Sequence, residues 1–283
     1  MVDLHIHTIY SDGEYTPLKV LDICNERRIY DISITDHNSL EGSKQAIHKN
    51  PYPNIRIVPG VELSALYPVK GANLHILGYG INLENKELNE VTQAIMSDNI
   101  RRIQSLVSLL NENYGLTFKD EDLQKIYQSV GDIGRPDIAK LCLKYGYTST
   151  VKEAFERYFN PVHDRLVKHR VELTSKECIE YIRNAGGVAC LAHPIELKQD
   201  NYELKRFIRT LMSYGLEAVE VYQSKHSESY SRQLLEIVDE FGLLYSVGSD
   251  YHGPVVSPKF EMGTGQNNNL NKQTATILSK ISR

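Results

Sequence analysis

Short apolar runs punctuate the chain at regular intervals, and an amphipathic segment follows most of them. Runs over residues 2–7, 31–35, 55–64, 72–81, 188–192, 218–222 and 245–249 read as strands. The third straddles Pro59-Gly60. Between them the period lengthens. Thr16 followed by Pro17 is an N-cap with proline at the first helical position, and Leu18, Leu21 and Cys24 give that segment an apolar face. Residues 177–185 read as a helix stopped by Gly186-Gly187, and 202–214 and 228–241 as two more. About seven strands alternating with helices predict an α/β fold, a parallel barrel or sheet.

The middle of the chain breaks this rhythm. From about residue 85 to 170 the pattern is almost wholly helical. Residues 91–113 carry Ile95, Ile100, Ile103, Leu106 and Leu110 at helical spacing, and shorter helices are predicted at 120–129, 136–145 and 149–159. The expected organisation is an α/β domain formed by residues 1–85 and 171–283, with a helical insertion, 86–170, roofing the active site.

Composition narrows the function classes. A chain of 283 residues that is 41% hydrophobic and 24% charged suits one globular domain with an insertion. A formal net charge of −4 argues against coating nucleic acid or a membrane surface through bulk charge, while leaving room for a locally positive cleft. No secretory signal or membrane-length run is evident, so a cytoplasmic protein with no membrane partner is expected. Cys24, Cys142, Cys178 and Cys190 lie far apart in apolar contexts and read as reduced, buried thiols. Eighteen tyrosines without a tryptophan invite base stacking, but Tyr67, Tyr79, Tyr222 and Tyr251 are read as packing residues.

The chemistry lies where the apolar runs end. His5 and His7, His37, Glu62, His75, His193, and Asp250 with His252 each fall in or just after a run, and Asp12 follows in the first loop. Function in parallel α/β folds sits at the C-terminal ends of strands, and each of these residues is expected there. Imidazole and carboxylate are what divalent metals take when no thiolate is offered. Nine such donors fit two or three ions, with Glu62 placed to bridge. Three divalent ions against three carboxylates would leave the pocket positive, which suits a phosphate substrate. Asp36, beside His37 but facing the other way, is expected to orient a ligand imidazole. Arg135 at a helix start is expected to grip phosphate, and His226 to contact phosphate or leaving group. His48, His163 and His169 are read as surface residues; a position facing the pocket from the insertion is weighed for Lys168 and Arg170 and not favoured.

Taken in order, HIHT, ITDHN, GVELS, AHP and GSDYHG resemble the PHP superfamily, named for polymerase and histidinol phosphatase. The resemblance covers nearly the whole chain. It implies a distorted seven-stranded β/α barrel with a trinuclear site. His5, His7, Glu62 and Asp250 would hold one ion, Glu62, His75 and His193 a second, and Asp12, His37 and His252 a third. Gly134-Arg135-Pro136 and Ser224-Lys-His226-Ser227 look most like the branch of small nucleotide phosphoesterases: 3′,5′-nucleotide phosphatases and 5′→3′ exoribonucleases. The implied enzyme is a metal-dependent phosphoesterase using a metal-bridging hydroxide, with Mn, Fe or Zn as cofactor and Arg135, His226 and Asp36 assisting. Its partner would be a nucleotide or short oligonucleotide, with no obligate protein partner. Two departures stand out: Asp137 replaces the histidine usual after Arg-Pro, and residues 160–165 lack a Gly-rich form. The alternatives are a histidinol-phosphate or other small-molecule phosphatase and, from another class, a non-catalytic PHP-like module.

Overall fold

The computed structural model describes residues 1–69, 71–131, 133–166, 171–271 and 273–281. Lys168, His169 and Arg170 lie outside the described residues. The chain forms two compact units, Met1–Glu90 with Glu172–Arg283, and Val91–Val171.

The first unit is mixed α/β. Among the described residues its strands form two sheets. β1 (Val2–Ile6), β2 (Asp31–Ile34) and β3 (Arg56–Ile57) are parallel in the order β1-β2-β3. β4 (Gly60–Ala65), β5 (Leu74–Tyr79), β6 (Val188–Leu191), β7 (Ala218–Gln223) and β8 (Leu244–Gly248) form the other sheet in sequence order. A single seven-stranded barrel is therefore not the arrangement found; the strands divide into a three-stranded and a five-stranded sheet. Isolated parallel bridges, Ile6 with Tyr251 and His37 with Glu62, link segments of the two.

Two local causes account for the difference. The predicted strand 55–64 is cut at Pro59, which has no N–H to donate, and Gly60 starts a new strand in the other sheet. The link between β4 and β5 is too short for the crossover of a dozen or more residues that a parallel pair needs, so β5 runs antiparallel to β4 and also to β6.

Around the sheets pack α1 (Pro17–Arg27), α2 (Glu41–Lys49), α8 (Ser175–Asn184), α9 (Asn201–Tyr214) and α10 (Glu228–Phe241). Their ends follow the sequence signals. Thr16 caps α1 through the Lys19 N–H, Thr174 and Glu177 form a capping box on α8, and Gly215 and Gly242 close α9 and α10 in the left-handed conformation. Val20, Leu21 and Cys24 of α1 pack on Ile32 and Ile34 of β2, and a second core joins Leu4, Leu77, Tyr79, Cys190 and Val247. The four cysteines are buried and unpaired.

The second unit holds most of α3 (Lys86–Tyr114), then α4 (Asp120–Tyr127), α5 (Arg135–Lys144), α6 (Val151–Ala154), a π turn (Phe155–Phe159) and α7 (Asn160–Val162). Leu106 and Leu110 of α3, Ile138 and Cys142 of α5, and Phe159 share its core. Among the described residues no helix is long and apolar enough to cross a membrane.

Candidate metal centre

β1 ends at Ile6, so His5 stands in the strand and His7 just past it. Residues two apart face the same way, and both Nε2 atoms reach Glu62 Oε2, at 3.0 Å from His5 and 3.1 Å from His7. Glu62 lies within β4 and is fully buried. Its Oε2 is also 3.2 Å from His37 Nδ1, and its Oε1 is 3.0 Å from His75 Nδ1 and 2.9 Å from His193 Nε2. Asp250 Oδ1 completes the inner group at 3.4 Å from His5 Nε2 and 3.3 Å from His7 Nε2. At the rim, Asp12 Oδ1 lies 3.2 Å from His252 Nε2, and Asp12 Oδ2 lies 4.0 Å from His37 Nε2. The donors of all nine candidates thus stand in one cluster inside the α/β unit. They fall into overlapping groups: His5, His7, Glu62 and Asp250; His37, Glu62 and His75; His7, Asp12, His37 and His252. His193 adjoins the second, its Nε2 3.2 Å from His75 Nδ1.

One expectation about placement needs correcting. His75 is not at a C-terminal strand end but near the start of β5. Because β5 is antiparallel, its start lies beside the C-terminal ends of β4 and β6, with Ser64 opposite His75 and Leu191 opposite Ile76.

The hydrogen bonds test whether these residues fit metal ions. His5 Nδ1 donates to Glu220 Oε1 at 2.9 Å, and His252 Nδ1 donates to the Asp250 carbonyl at 2.9 Å. With Nδ1 protonated in each ring, the neutral form of each has a bare Nε2. These lone pairs face carboxylate oxygens of Glu62 at 3.0 Å and Asp12 at 3.2 Å. Lone pair against carboxylate is repulsive unless a cation lies between. An ion at roughly 2.1 Å from each donor would put neighbouring donors about 3.0–3.4 Å apart, the spacing seen here. The electrostatics are frustrated without one. Burial pushes Glu62 up, but the charge of His5 and the hydrogen bond from His193, among the facing imidazoles, outweigh it and hold its carboxyl well below the usual range. Burial drives His37 down to about 3. It also works against charge on His7, yet the Asp250 and Glu62 carboxylates raise that ring to about 10. The residues present fit divalent metal.

Around the donors lies a polar frame. Asp36 faces away from His37 and accepts from the Thr8 N–H at 2.6 Å, the Thr8 hydroxyl at 2.7 Å and the Ser11 hydroxyl at 2.7 Å. Among the described residues it touches no imidazole directly; Ser11 Oγ, 3.3 Å from His7 Nδ1, stands between. Gln223 donates to Asp250 Oδ2 at 3.1 Å. Two residues escaped the sequence reading. Glu220, fully buried in β7, accepts from His5 and from the His193 N–H at 2.7 Å. Its signal was available: a carboxylate between Val219 and Val221, as Glu62 stands between Val61 and Leu63. Lys225, whose ammonium pairs with Glu196 at 2.6 Å, lies 3.8 Å from Asp250 Oδ2.

The other predicted contacts have distinct settings. His226 is buried and donates Nδ1–H to the Val221 carbonyl at 2.9 Å, which leaves Nε2 an acceptor without a partner among the described residues. Burial pulls this ring down to about 4, so it is neutral at pH 7. Arg135 lies in the helical unit, its guanidinium 3.4 Å from His163 Nδ1 and over the Phe155 ring. Asp137 has a structural task, accepting the Gly134 N–H at 2.9 Å at the start of α5. His48 and His163 are exposed.

Known proteins are similar to this chain over most of its length. A 3′,5′-nucleoside bisphosphate phosphatase of Chromobacterium violaceum is 26% identical over 253 residues, 89% of this chain and 87% of that protein. The 5′-3′ exoribonuclease Rnm of Escherichia coli is 27% identical over 264 residues, 92% of this chain and 87% of that protein. Among solved structures, an amidohydrolase from Chromobacterium violaceum with bound sulfate and no metal superposes with a TM-score of 0.73 at 26% identity, covering 89% of this chain and 88% of that one. The model of the PHP domain matches residues 3–255, from the strand that carries His5 to the loop behind His252, and the chain belongs to the PHP domain family.

Proposed function

We propose that this chain hydrolyses phosphate esters of nucleotides or short oligonucleotides at a centre of three divalent ions. It is a hydrolase acting on phosphoester bonds, and relatives named as a nucleoside bisphosphate phosphatase and an exoribonuclease point to nucleotide substrates. The observation that carries the reading is Glu62, a buried carboxylate with five imidazole nitrogens between 2.9 and 3.2 Å of its two oxygens. Cations between these donors would serve both of its oxygens and the neutral imidazoles at once. His5, His7, Glu62 and Asp250 would hold one ion, Glu62, His75 and His193 the second, and Asp12, His37 and His252 the third. His37, near Glu62 as well as Asp12, stands between the last two sets.

When bound, Mn, Fe or Zn at such donors supplies Lewis acidity toward phosphoryl oxygens and water ionised near neutral pH. The chain's own residues arrange the rest. Asp36 fixes the Thr8–Ser11 turn and, through Ser11, the ring of His7. His226 offers an acceptor at Nε2, which suits a hydroxyl of the leaving group better than a phosphate oxygen. Arg135, at the first position of α5, is our candidate for gripping phosphate, because its planar guanidinium can meet two phosphate oxygens at once. The sulfate in the Chromobacterium structure, a tetrahedral dianion like phosphate, is in keeping with such a site.

The test is phosphate release by Mn-reconstituted protein from 5′-mononucleotides, 3′,5′-bisphosphates, a short 5′-phosphorylated RNA and histidinol phosphate. His193→Ala is the control. Release from one nucleotide class, lost in the variant, supports the reading. Turnover of histidinol phosphate alone would replace it with the small-molecule phosphatase.

A further inference from the structure

We propose that Glu220 is a positioning residue of the metal centre, one carboxylate that fixes the His5 ring and the His193 backbone together. The inference rests on the metal reading above and deepens it. Glu220 lies in β7 between Val219 and Val221, with no exposure to solvent. A carboxylate there is costly unless both oxygens are engaged. Each has one donor: Oε1 takes the proton of His5 Nδ1 at 2.9 Å, and Oε2 takes the His193 N–H at 2.7 Å.

What these two bonds hold makes Glu220 more than a filled hydrogen-bond quota. His5 sends Nε2 to Glu62 Oε2 at 3.0 Å, and His193 sends Nε2 to Glu62 Oε1 at 2.9 Å. The two rings that Glu220 anchors from behind therefore approach opposite oxygens of the central carboxylate. In the proposed assignment they serve different ions, so Glu220 sets the register between the two sites. The bond to His5 also decides which ring nitrogen is free for metal, as a carboxylate behind a ligand imidazole does elsewhere. His193 needs the restraint, because its backbone is held at φ 23°, in the left-handed region that a residue with a Cβ avoids.

The packing leaves room for this arrangement at one residue. Gly248 ends β8 where His5 and Glu220 meet. A Cβ there would lie 2.9 Å from Glu220 Oε1 and would overlap His5 Cβ. The missing side chain lets the carboxylate reach the ring.

Both partners are donors, so glutamine cannot replace Glu220. Its single oxygen would accept one bond, and its NH2 would point at the other donor. Glu220→Gln in the full chain is expected to weaken Co(II) binding about 10- to 100-fold and to change the visible spectrum of the bound ion. Far-UV circular dichroism reports whether the variant folds. Wild-type affinity and an unchanged spectrum in folded Glu220→Gln would overturn the proposal. A second measurement needs no stable variant: 15N spectroscopy of the histidine rings in the metal-free wild type, with His5 assigned by its loss in His5→Gln. A protonated, slowly exchanging Nδ1 on His5 is expected, and an unprotonated Nδ1 would overturn the bond to Glu220. If the wild type itself takes up no Co(II), the metal reading fails, and the His5 proton still decides on Glu220.

Discussion

Gly13→Ala places one methyl group where the backbone has left no space for it. Gly13 closes the turn after β1, its N–H donating to the Thr8 carbonyl at 3.0 Å. A Cβ built there would lie 2.5 Å from the His7 carbonyl carbon, 2.6 Å from the His7 oxygen and 2.7 Å from the Thr8 nitrogen. All three are main-chain atoms, so no side chain can swing aside. The His7 segment is itself pinned, its N–H donating to the Tyr251 carbonyl at 3.0 Å. Ordinary contact requires the turn to open by roughly 0.5–1 Å, and overpacking of this kind costs about 1–3 kcal/mol. With only backbone to yield, the upper end applies. A loss of about 3 kcal/mol is a factor of roughly 150 in the folding equilibrium. The displaced turn carries both His7 and Asp12, so the rim donors should separate. The assay is urea unfolding of chelated protein, paired with metal content of reconstituted protein. Gly115→Ala is the comparison: no atom lies within 4 Å of its Cβ, and only its φ of +66° is strained. It should cost about 1–2 kcal/mol and leave metal uptake intact. A shift below about 0.5 kcal/mol for Gly13→Ala, with full metal content, would refute the account of that turn.

Three further outcomes follow from the same geometry. Glu62→Gln keeps the shape but removes the charge and turns an NH2 toward imidazole nitrogens, so metal content by elemental analysis should fall to near background; normal loading would remove Glu62 from the centre. Chelation of the wild type should lower thermal stability, because metal at a hundredfold excess over its dissociation constant contributes about 2.7 kcal/mol, worth several degrees in a chain of this size; an unchanged melting temperature by calorimetry would mean the cluster is stable without cations. Arg135→Lys keeps the charge but loses the planar fork, and kcat/KM on the best nucleotide should drop about tenfold or more, some 1.4 kcal/mol; an unaltered value would free Arg135 from any phosphate contact.

The sequence carried the centre more clearly than the sheets around it, and particular residues show why. His5 with His7, and Asp250 with His252, are pairs two apart where an apolar run ends, so period and chemistry point the same way. Asp36 and His37 were separable by alternation alone, one facing the Thr8–Ser11 turn and the other Glu62. Strand direction was harder. A run such as 72–81 reads the same in either direction, and only the short link before it excluded a parallel partner. The sequence pattern thus places His75 at the C-terminal end of its strand, whereas the structure has it near the start of β5. Glu220 shows a different limit. Like Glu62 it stands between apolar residues, but its two partners are 215 and 27 residues away in the chain, and neither separation shows in the local pattern. A carboxylate in a strand interior is costly wherever it occurs, so such a residue calls for a buried donor or cation even when the sequence around it offers none. By that rule Asp3, fully buried in β1, is no tenth ligand: its oxygens are taken by the N–H groups of Ser249 at 2.8 Å and Gly263 at 2.7 Å. Burial identifies the costly carboxylates, and the identity of their donors, imidazole or backbone, separates those that face the candidate metal centre from those that hold the chain around it.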